Sequence, residues 1–355
     1  MTAAAVPTRA HLEAFFSRVN PACGRLILAT DATASRDPRF PRLGFLEREL
    51  LFRDPQRELE NTFERIFEAG YQEGMSWANG RKKMQIISAD ERLREKRGAK
   101  VLIIGPSGVG KTSLLRTVDP ASCLFLDIEA GDLSVQDVAV DTLRLSNWTE
   151  ARDVACKIGG ANPSYPPTAC YSEAHFRAVN GPLENLAKYK TLFIDSITAA
   201  SRLSFRHAEQ QPEAFSERTG RKDVRGAYGL HGREMIAWLN QLQHARGMNV
   251  VFIGILERNV DDFNVATWQL QAEGSKTSRE LPAIVDEIIS YQFLDFGDGK
   301  PPMRGFVCHN PNPWGYPAKD RSGRLDQIES PDLGKLLTKL TNQHDRNPKG
   351  ELKHD

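Results

Sequence analysis

Residues Gly105 to Thr112 spell GPSGVGKT. Glycines at this spacing let the backbone curl until several N–H groups face one point, and the closing lysine and hydroxyl face the same way. That is a cradle for phosphate groups. The spacing GxxxxGK[ST] assigns Lys111 to the β- and γ-phosphates and the Thr112 hydroxyl to a magnesium ion. The flanks agree: an apolar run, VLII at 101–104, comes before, and a helix-forming SLLRTV at 113–118 comes after. A helix there would add its positive N-terminal end to the site. Gly105, Pro106, Ser107, Gly108, Val109, Gly110, Lys111, Thr112 and Ser113 are therefore expected to hold a nucleoside triphosphate, ATP, with Mg2+.

Two further apolar runs end in acids. TLFIDS at 191–196 places Asp195 at the end of a strand, where a carboxylate can hold the metal beside Thr112. The residue after it is Ser196, so no adjacent glutamate is available to polarise an attacking water. CLFLDIEAGD at 123–132 offers one from elsewhere. Asp127 and Glu129 are two apart and would point the same way in a regular strand. The later residue clears the sheet edge, so Glu129 is the expected water-activating base. Asp127 is left to bond locally or to support the metal shell.

These residues need a scaffold that brings strand ends together. Apolar runs at Val101–Ile104, Cys123–Ile128, Thr191–Ile194 and Val250–Ile253 are nearly continuous, as expected of parallel strands covered on both faces. Glu287–Phe293 and Arg304–Cys308 are predicted as further strands. Helical stretches lie between them, best seen at Gly232–Ala245, where Met235, Leu239 and Leu242 fall on one face. Alternation of strand and helix predicts an α/β fold: a mostly parallel central sheet flanked by helices. GGANPSYPPTAC at 159–170 is expected to be an exposed insertion.

Composition excludes several classes. The chain has 355 residues, 40% hydrophobic and 26% charged, with a net charge of +1. A global electrostatic pull toward nucleic acid is absent, so any such binding must use a local patch. The five cysteines include no CxxC pair, which suits a reducing compartment; the spacing of Cys156, Cys170 and His175 fits no common zinc pattern. No apolar run reaches spanning length, and the N-terminus lacks a basic segment followed by an apolar core. The expectation is a cytoplasmic protein with no membrane partner.

The phosphate loop, a strand ending FLDIEAGD and a strand ending FIDS together resemble the core of RecA-like P-loop ATPases. AYGLHGREMIAWLNQLQ at 227–243 resembles the Gly-Leu-x-x-Arg helix that follows the first DNA-binding loop of RecA proteins. NVVFIGILER at 249–258 is similar to the strand that ends in their γ-phosphate sensor, although Gly254, Ile255 and Leu256 here offer no polar group. AKDRSG at 318–323 looks like the Lys-x-Arg-x-Gly motif of RadA-type proteins. Residues 84–340 most resemble phage and prophage ATP-binding proteins, some of them single-strand annealing or recombination proteins. The resemblance implies a homo-oligomer with ATP between subunits, in which Lys319 and Arg321 reach the neighbour's γ-phosphate. It also implies single-stranded DNA as partner. The first loop position, 202–233, carries Arg202, Arg206, Arg218, Arg221, Lys222, Arg225 and Arg233 against Glu209, Glu213, Glu217 and Asp223, with Tyr228 available to stack. The second, 259–280, carries Trp268, Lys276 and Arg279, diluted by Asp261, Asp262, Glu273 and Glu280.

The chain divides on this basis into an appendage, 1–83, an ATPase domain, 84–341, and a flexible tail, 342–355. QRELENTFERIFEAGYQEG at 56–74 has one apolar helical face. Asp31, Thr33 and Ser35 resemble the metal motif that opens a von Willebrand A-type domain, in a segment too short to complete one. Two alternatives compete with DNA-stimulated hydrolysis: a non-catalytic ATP-gated assembly protein, and a nucleoside monophosphate kinase, because GPSGVGKT also resembles the loop of guanylate kinases. No Asn-Lys-x-Asp segment supports a guanine-specific site.

Overall fold

The computed structural model describes residues 86–342, apart from 96, 217, 261–263, 265 and 298. The expectations for the appendage, including the stretch 56–74 and Asp31, Thr33 and Ser35, lie outside the described residues, as does the tail beyond 342.

A short helix α1 (Ala89–Arg94) leads into β1 (Lys100–Gly105). The next strands are β2 (Cys123–Asp127), β3 (Asp141–Arg144), β4 (Thr191–Asp195) and β5 (Asn249–Val260). After them come β6 (Ala266–Leu270), β7 (Glu287–Leu294), β8 (Met303–Val307), β9 (Lys319–Asp320) and β10 (Ile328–Glu329). The sheet runs β10-β8-β7-β1-β5-β4-β2-β3, with β6 on β5 and β9 on β7. From β7 to β3 all neighbours are parallel; β8, β9 and β10 pair antiparallel. This is the mostly parallel α/β arrangement expected from the sequence.

The apolar runs sort into two cores because side chains alternate along a strand. Leu102, Ile104, Leu124, Leu126, Leu192, Ile194, Val250 and Phe252 face one side. There they meet α2 (Trp148–Gly159), α4 (Ile197–Ala208), α5 (Val224–Gln243) and α6 (Ser275–Ile284). A smaller helix α3 (Glu173–Ala178) packs at the rim of this side. Val101, Ile103, Cys123, Phe125, Phe193, Val251 and Ile253 face the other side, which is covered by the segment after the phosphate loop and by α7 (Leu333–Thr341). Burial on both faces is what makes these strands nearly continuous apolar runs, with polar residues only at their ends.

Three elements depart from expectation. SLLRTV forms a six-residue 3-10 helix, Thr112–Thr117, rather than an α-helix. Pro120 lies just beyond it and keeps Asp119 extended at ψ 108, so the turn cannot lengthen. The strand over Val250–Ile253 runs on to Val260 and folds back against β6 as a hairpin. The helix expected over Gly232–Ala245 begins earlier, at Val224, after the cap Asp223 accepts the Arg225 N–H at 3.0 Å. Gly226, Gly229 and Gly232 obscure that first half in the sequence. Gly226 is needed there, since a Cβ would strike the Glu213 carbonyl. The insertion at 159–170 has no regular element after Gly159, and residues 163–168 are exposed.

Candidate functional site

The phosphate loop leaves the C-terminal end of β1, where ligands bind in open α/β sheets. Gly108 and Gly110 adopt φ +80 and +100, conformations that L side chains avoid. Gly105 packs so closely on the Tyr291 carbonyl that a Cβ would collide with it. Lys111 Nζ donates to the Gly105 and Pro106 carbonyls at 3.0 and 2.8 Å. Its amine is thus already folded back over the loop where phosphate would lie. Burial lowers the Lys111 pKa, against the opposing charges of Asp195 and Glu129. The 3-10 helix that follows is short, so the cradle depends on loop N–H groups and Lys111 more than on a helix dipole.

Thr112 Oγ1 donates to Asp195 Oδ2 at 2.5 Å, which joins the loop to the end of β4 across the intervening β5. Asp195 is 5% exposed. Burial pushes its carboxyl up to about 6; the charges of Glu129 and Asp127 add to this, while the Thr112 hydrogen bond and Lys111 oppose it. A hydroxyl and a crowded, desolvated carboxylate form a hard-oxygen donor pair that fits Mg2+. Ser196, which stands where an adjacent glutamate would, is the N-cap of α4: its Oγ accepts the Ala199 N–H at 3.1 Å.

Strand β2 ends at Asp127, directly opposite Asp195 in register. Asp127 is 3% exposed, and its Oδ1 accepts the Ala130 N–H at 2.8 Å. Ala130 takes φ +55, so the chain turns sharply there. Asp127 thereby pins the turn that carries Glu129. Glu129 itself is exposed, and its charge acts on both Lys111 and Asp195. The structure therefore brings Gly105–Ser113, Lys111, Thr112, Asp195 and Glu129 to one end of the sheet.

Lys319 and Arg321 are elsewhere. β9 pairs Lys319 with Ile288 and Asp320 with Glu287, and Glu287 stands beside Val101 at the start of β1. Four residues of strand, about 13 Å, separate that level from Gly105. Lys319 Nζ donates to the Pro282 and Val285 carbonyls at the C-terminal end of α6. The Arg321 guanidinium lies 3.6 Å from Asp286, and its side chain is 55% exposed. Within one chain neither residue reaches the phosphate loop. A cavity of about 490 Å³ opens at this same far end, lined by Lys100, His244, Arg246, Asp286, Glu287 and Arg321 among others.

β5 carries no polar side chain at the sensor position, Gly254 to Leu256; Glu257 and Arg258 come later on the same strand. Ile253 stands beside Asp195 in register and is fully buried. A Cβ on Gly254 would meet the Leu270 side chain of the hairpin, which would have to shift to admit it.

The two loop segments form one surface. His231 Nδ1 lies 3.1 Å from Ser204 Oγ, and Nε2 lies 2.8 Å from the Glu273 carbonyl. The Glu273 N–H donates to Ser201 Oγ at 2.7 Å. The basic stretch before α5 closes as a small hairpin, with a bridge from Phe215 to Lys222 and the Ser216 N–H on the Arg221 carbonyl at 2.8 Å. Arg218, Arg221, Lys222 and Arg225 are exposed around it. Tyr228 is 41% exposed and stacks on Phe205, ring centroids 4.5 Å apart. Trp268 instead packs edge-on against Tyr316 at 5.1 Å.

Sequence reasoning missed Arg304, which β8 carries to the phosphate loop. A methyl group at Gly110 would stand 3.6 Å from Arg304 Nη1 and 3.7 Å from the Tyr291 hydroxyl. Nearly two hundred residues and no motif link these positions; only the order β8-β7-β1 does.

The AAA domain family matches residues 97–322. Among curated proteins, the L-cystine transport system ATP-binding protein TcyN of Escherichia coli (strain K12) is 48% identical over 52 residues, 15% of this chain and 19% of that protein. The match thus spans about a fifth of that relative's length. The KaiC-like protein PH0186 of Pyrococcus horikoshii OT3 is similar at 13% identity, over 59% of this chain and 78% of that one, with a TM-score of 0.28. The RadB recombinase is similar at 15% identity, over 66% and 91%, with a TM-score of 0.32. A prototypical ATPase from the type III secretion system of pathogenic bacteria is similar at 18% identity, over 55% and 52%, also with a TM-score of 0.32. Among the described residues, no helix is long and apolar enough to cross a membrane.

Proposed function

The chain belongs to the AAA domain family and is a P-loop ATPase; from that premise we propose that it couples ATP hydrolysis to single-stranded DNA, in recombination or annealing. Loop residues Gly105–Ser113 hold the phosphates, and Lys111 leaves its own carbonyls to meet them. Thr112 and Asp195 are the residues that would hold magnesium. When bound, the metal neutralises charge on the β- and γ-phosphates. Glu129 accepts a proton from the attacking water. Its exposed position between Asp127's pinned turn and Lys111 supports that role.

The observation that carries the DNA partner is the hairpin 215–222. Exposed Arg218, Arg221, Lys222 and Arg225 surround it, and the Tyr228–Phe205 stack lies alongside. Basic groups that track a backbone, with an aromatic face for a base, suit single strands without sequence preference. Helix α4, which carries Phe205, starts at Ile197, capped by Ser196 immediately after Asp195. The hydrolytic strand and the DNA surface therefore share one rigid element. Lys319 and Arg321 are proposed to serve the nucleotide of a neighbouring subunit in a homo-oligomer. Arg321 is the better placed, because the Lys319 amine is held by two carbonyls.

The test is the ATPase rate with and without single-stranded DNA, on the full chain. Stimulation is expected, and Lys111→Ala should abolish turnover. Replacing Arg221, Lys222 and Arg225 by alanine should remove the stimulation and lower the salt dependence of DNA binding by about two in log–log slope. A rate indifferent to DNA in the wild type would sink this proposal and leave the ATPase itself standing.

A further inference from the structure

We propose that Arg304 is a nucleotide-binding residue, contacting the α- and β-phosphates of a nucleoside di- or triphosphate from the side of the sheet opposite Asp195. The inference rests on the P-loop being the nucleotide site. Strands β4 and β2, with Asp195 and Glu129, lie on one side of β1, and β7 and β8 lie on the other. Thr112 faces Asp195, whereas Gly110 faces Arg304 and Tyr291. A phosphate chain with its terminal group beside Thr112 and Glu129 must run back along the loop past Gly110. Its inner phosphates then come within reach of Arg304.

The guanidinium is presented rather than buried. Arg304 is exposed and sits opposite Phe293 in the antiparallel pairing. Its guanidinium carbon lies 5.2 Å from the centre of the Phe293 ring, a cation–π contact that holds the fork without consuming its donors. The Tyr291 side chain is buried beside it and interacts with Arg304. Among the described residues Arg304 forms no ion pair with a carboxylate. With one donor on the Tyr291 hydroxyl, the planar fork beside the phosphate loop keeps further N–H groups for bidentate contact with phosphate oxygens, which an ammonium cannot make. Because the inner phosphates remain in the product, this contact strengthens ADP and ATP alike. It is uniform binding rather than transition-state stabilisation.

The test is titration of the full chain with a fluorescent ADP, for wild type, Arg304→Ala, Arg304→Lys and Lys111→Ala, with adenosine as competitor. Arg304→Ala should weaken ADP by about 10- to 100-fold. Arg304→Lys should recover part of that loss, and competition by adenosine should not change. The KM for ATP should rise by a factor similar to the loss in ADP affinity, and by more than kcat falls. ADP binding as tight in Arg304→Ala as in wild type, with Lys111→Ala defective, would overturn the role of Arg304 while the P-loop assignment survived. A loss of adenosine competition equal to that of ADP would place Arg304 at the base and overturn the phosphate contact. Wild type that binds no nucleotide would overturn the underlying assignment and this inference with it.

Discussion

Glu129→Gln is the sharpest perturbation of the hydrolytic site, because it removes a charge and keeps a shape. Glu129 is exposed, and the turn that carries it is held by Asp127 Oδ1 on the Ala130 N–H at 2.8 Å. Glutamine leaves that turn untouched, so the cost in stability should stay within about 0.5 kcal/mol. Nucleotide affinity should shift only a few-fold, since the phosphates are held by the loop and Lys111, and Glu129 acts on Lys111 only through its charge. Turnover is different. Loss of a positioned base typically costs about 10²- to 10⁴-fold, equivalent to roughly 3–5 kcal/mol of barrier. Asp195 cannot substitute, because it is buried, directed at Thr112 and held by that hydroxyl. The assay is single-turnover ATP hydrolysis alongside titration of a non-hydrolysable analogue. The expected result is intact binding with hydrolysis at least about 10²-fold slower. Hydrolysis within about fivefold of wild type would remove Glu129 from the chemistry. Loss of analogue binding in parallel with turnover would show that the residue builds the site instead.

Two further outcomes concern stability. Trp238 is fully buried, packs at a tilt against Trp148 with ring centroids 5.7 Å apart and donates its indole N–H to the Ala151 carbonyl at 2.9 Å. Trp238→Ala should cost about 3–5 kcal/mol in urea unfolding, and a loss under about 1 kcal/mol would contradict its place at the centre of that core. Glu287 is 2% exposed; burial first, then its hydrogen bond and charge interaction with Asp320, push its carboxyl from 4.5 up to about 8. Between those values the folded state binds the extra proton, so stability falls as pH rises through this window and the loss is complete above it. The total change is on the order of 2–5 kcal/mol. Glu287→Gln should flatten the thermal-stability profile across that range, and parallel profiles for variant and wild type would refute the assignment.

The sequence alone determined the phosphate loop, the acid-ended strands and the mostly parallel sheet. Each is written in contiguous residues: glycine spacing that only a curled backbone uses, and apolar runs that only two-sided burial demands. Asp127, unexplained by alternation, needed its Ala130 partner to become the pin beneath Glu129. The 3-10 turn was legible in principle, since Pro120 lies three residues beyond it. The first half of that helix was masked by Gly226, Gly229 and Gly232, of which Gly226 is there because the Glu213 carbonyl lies against it rather than for a turn. Tertiary structure alone decided what stands beside what. Parallel strand order put β5 between the loop and Asp195, put Arg304 against Gly110, and set Lys319 and Arg321 at the far end of β1. Local sequence encodes backbone conformation and burial period. The pairing of strands far apart in the chain follows from how the helices cover both faces, which no short motif records.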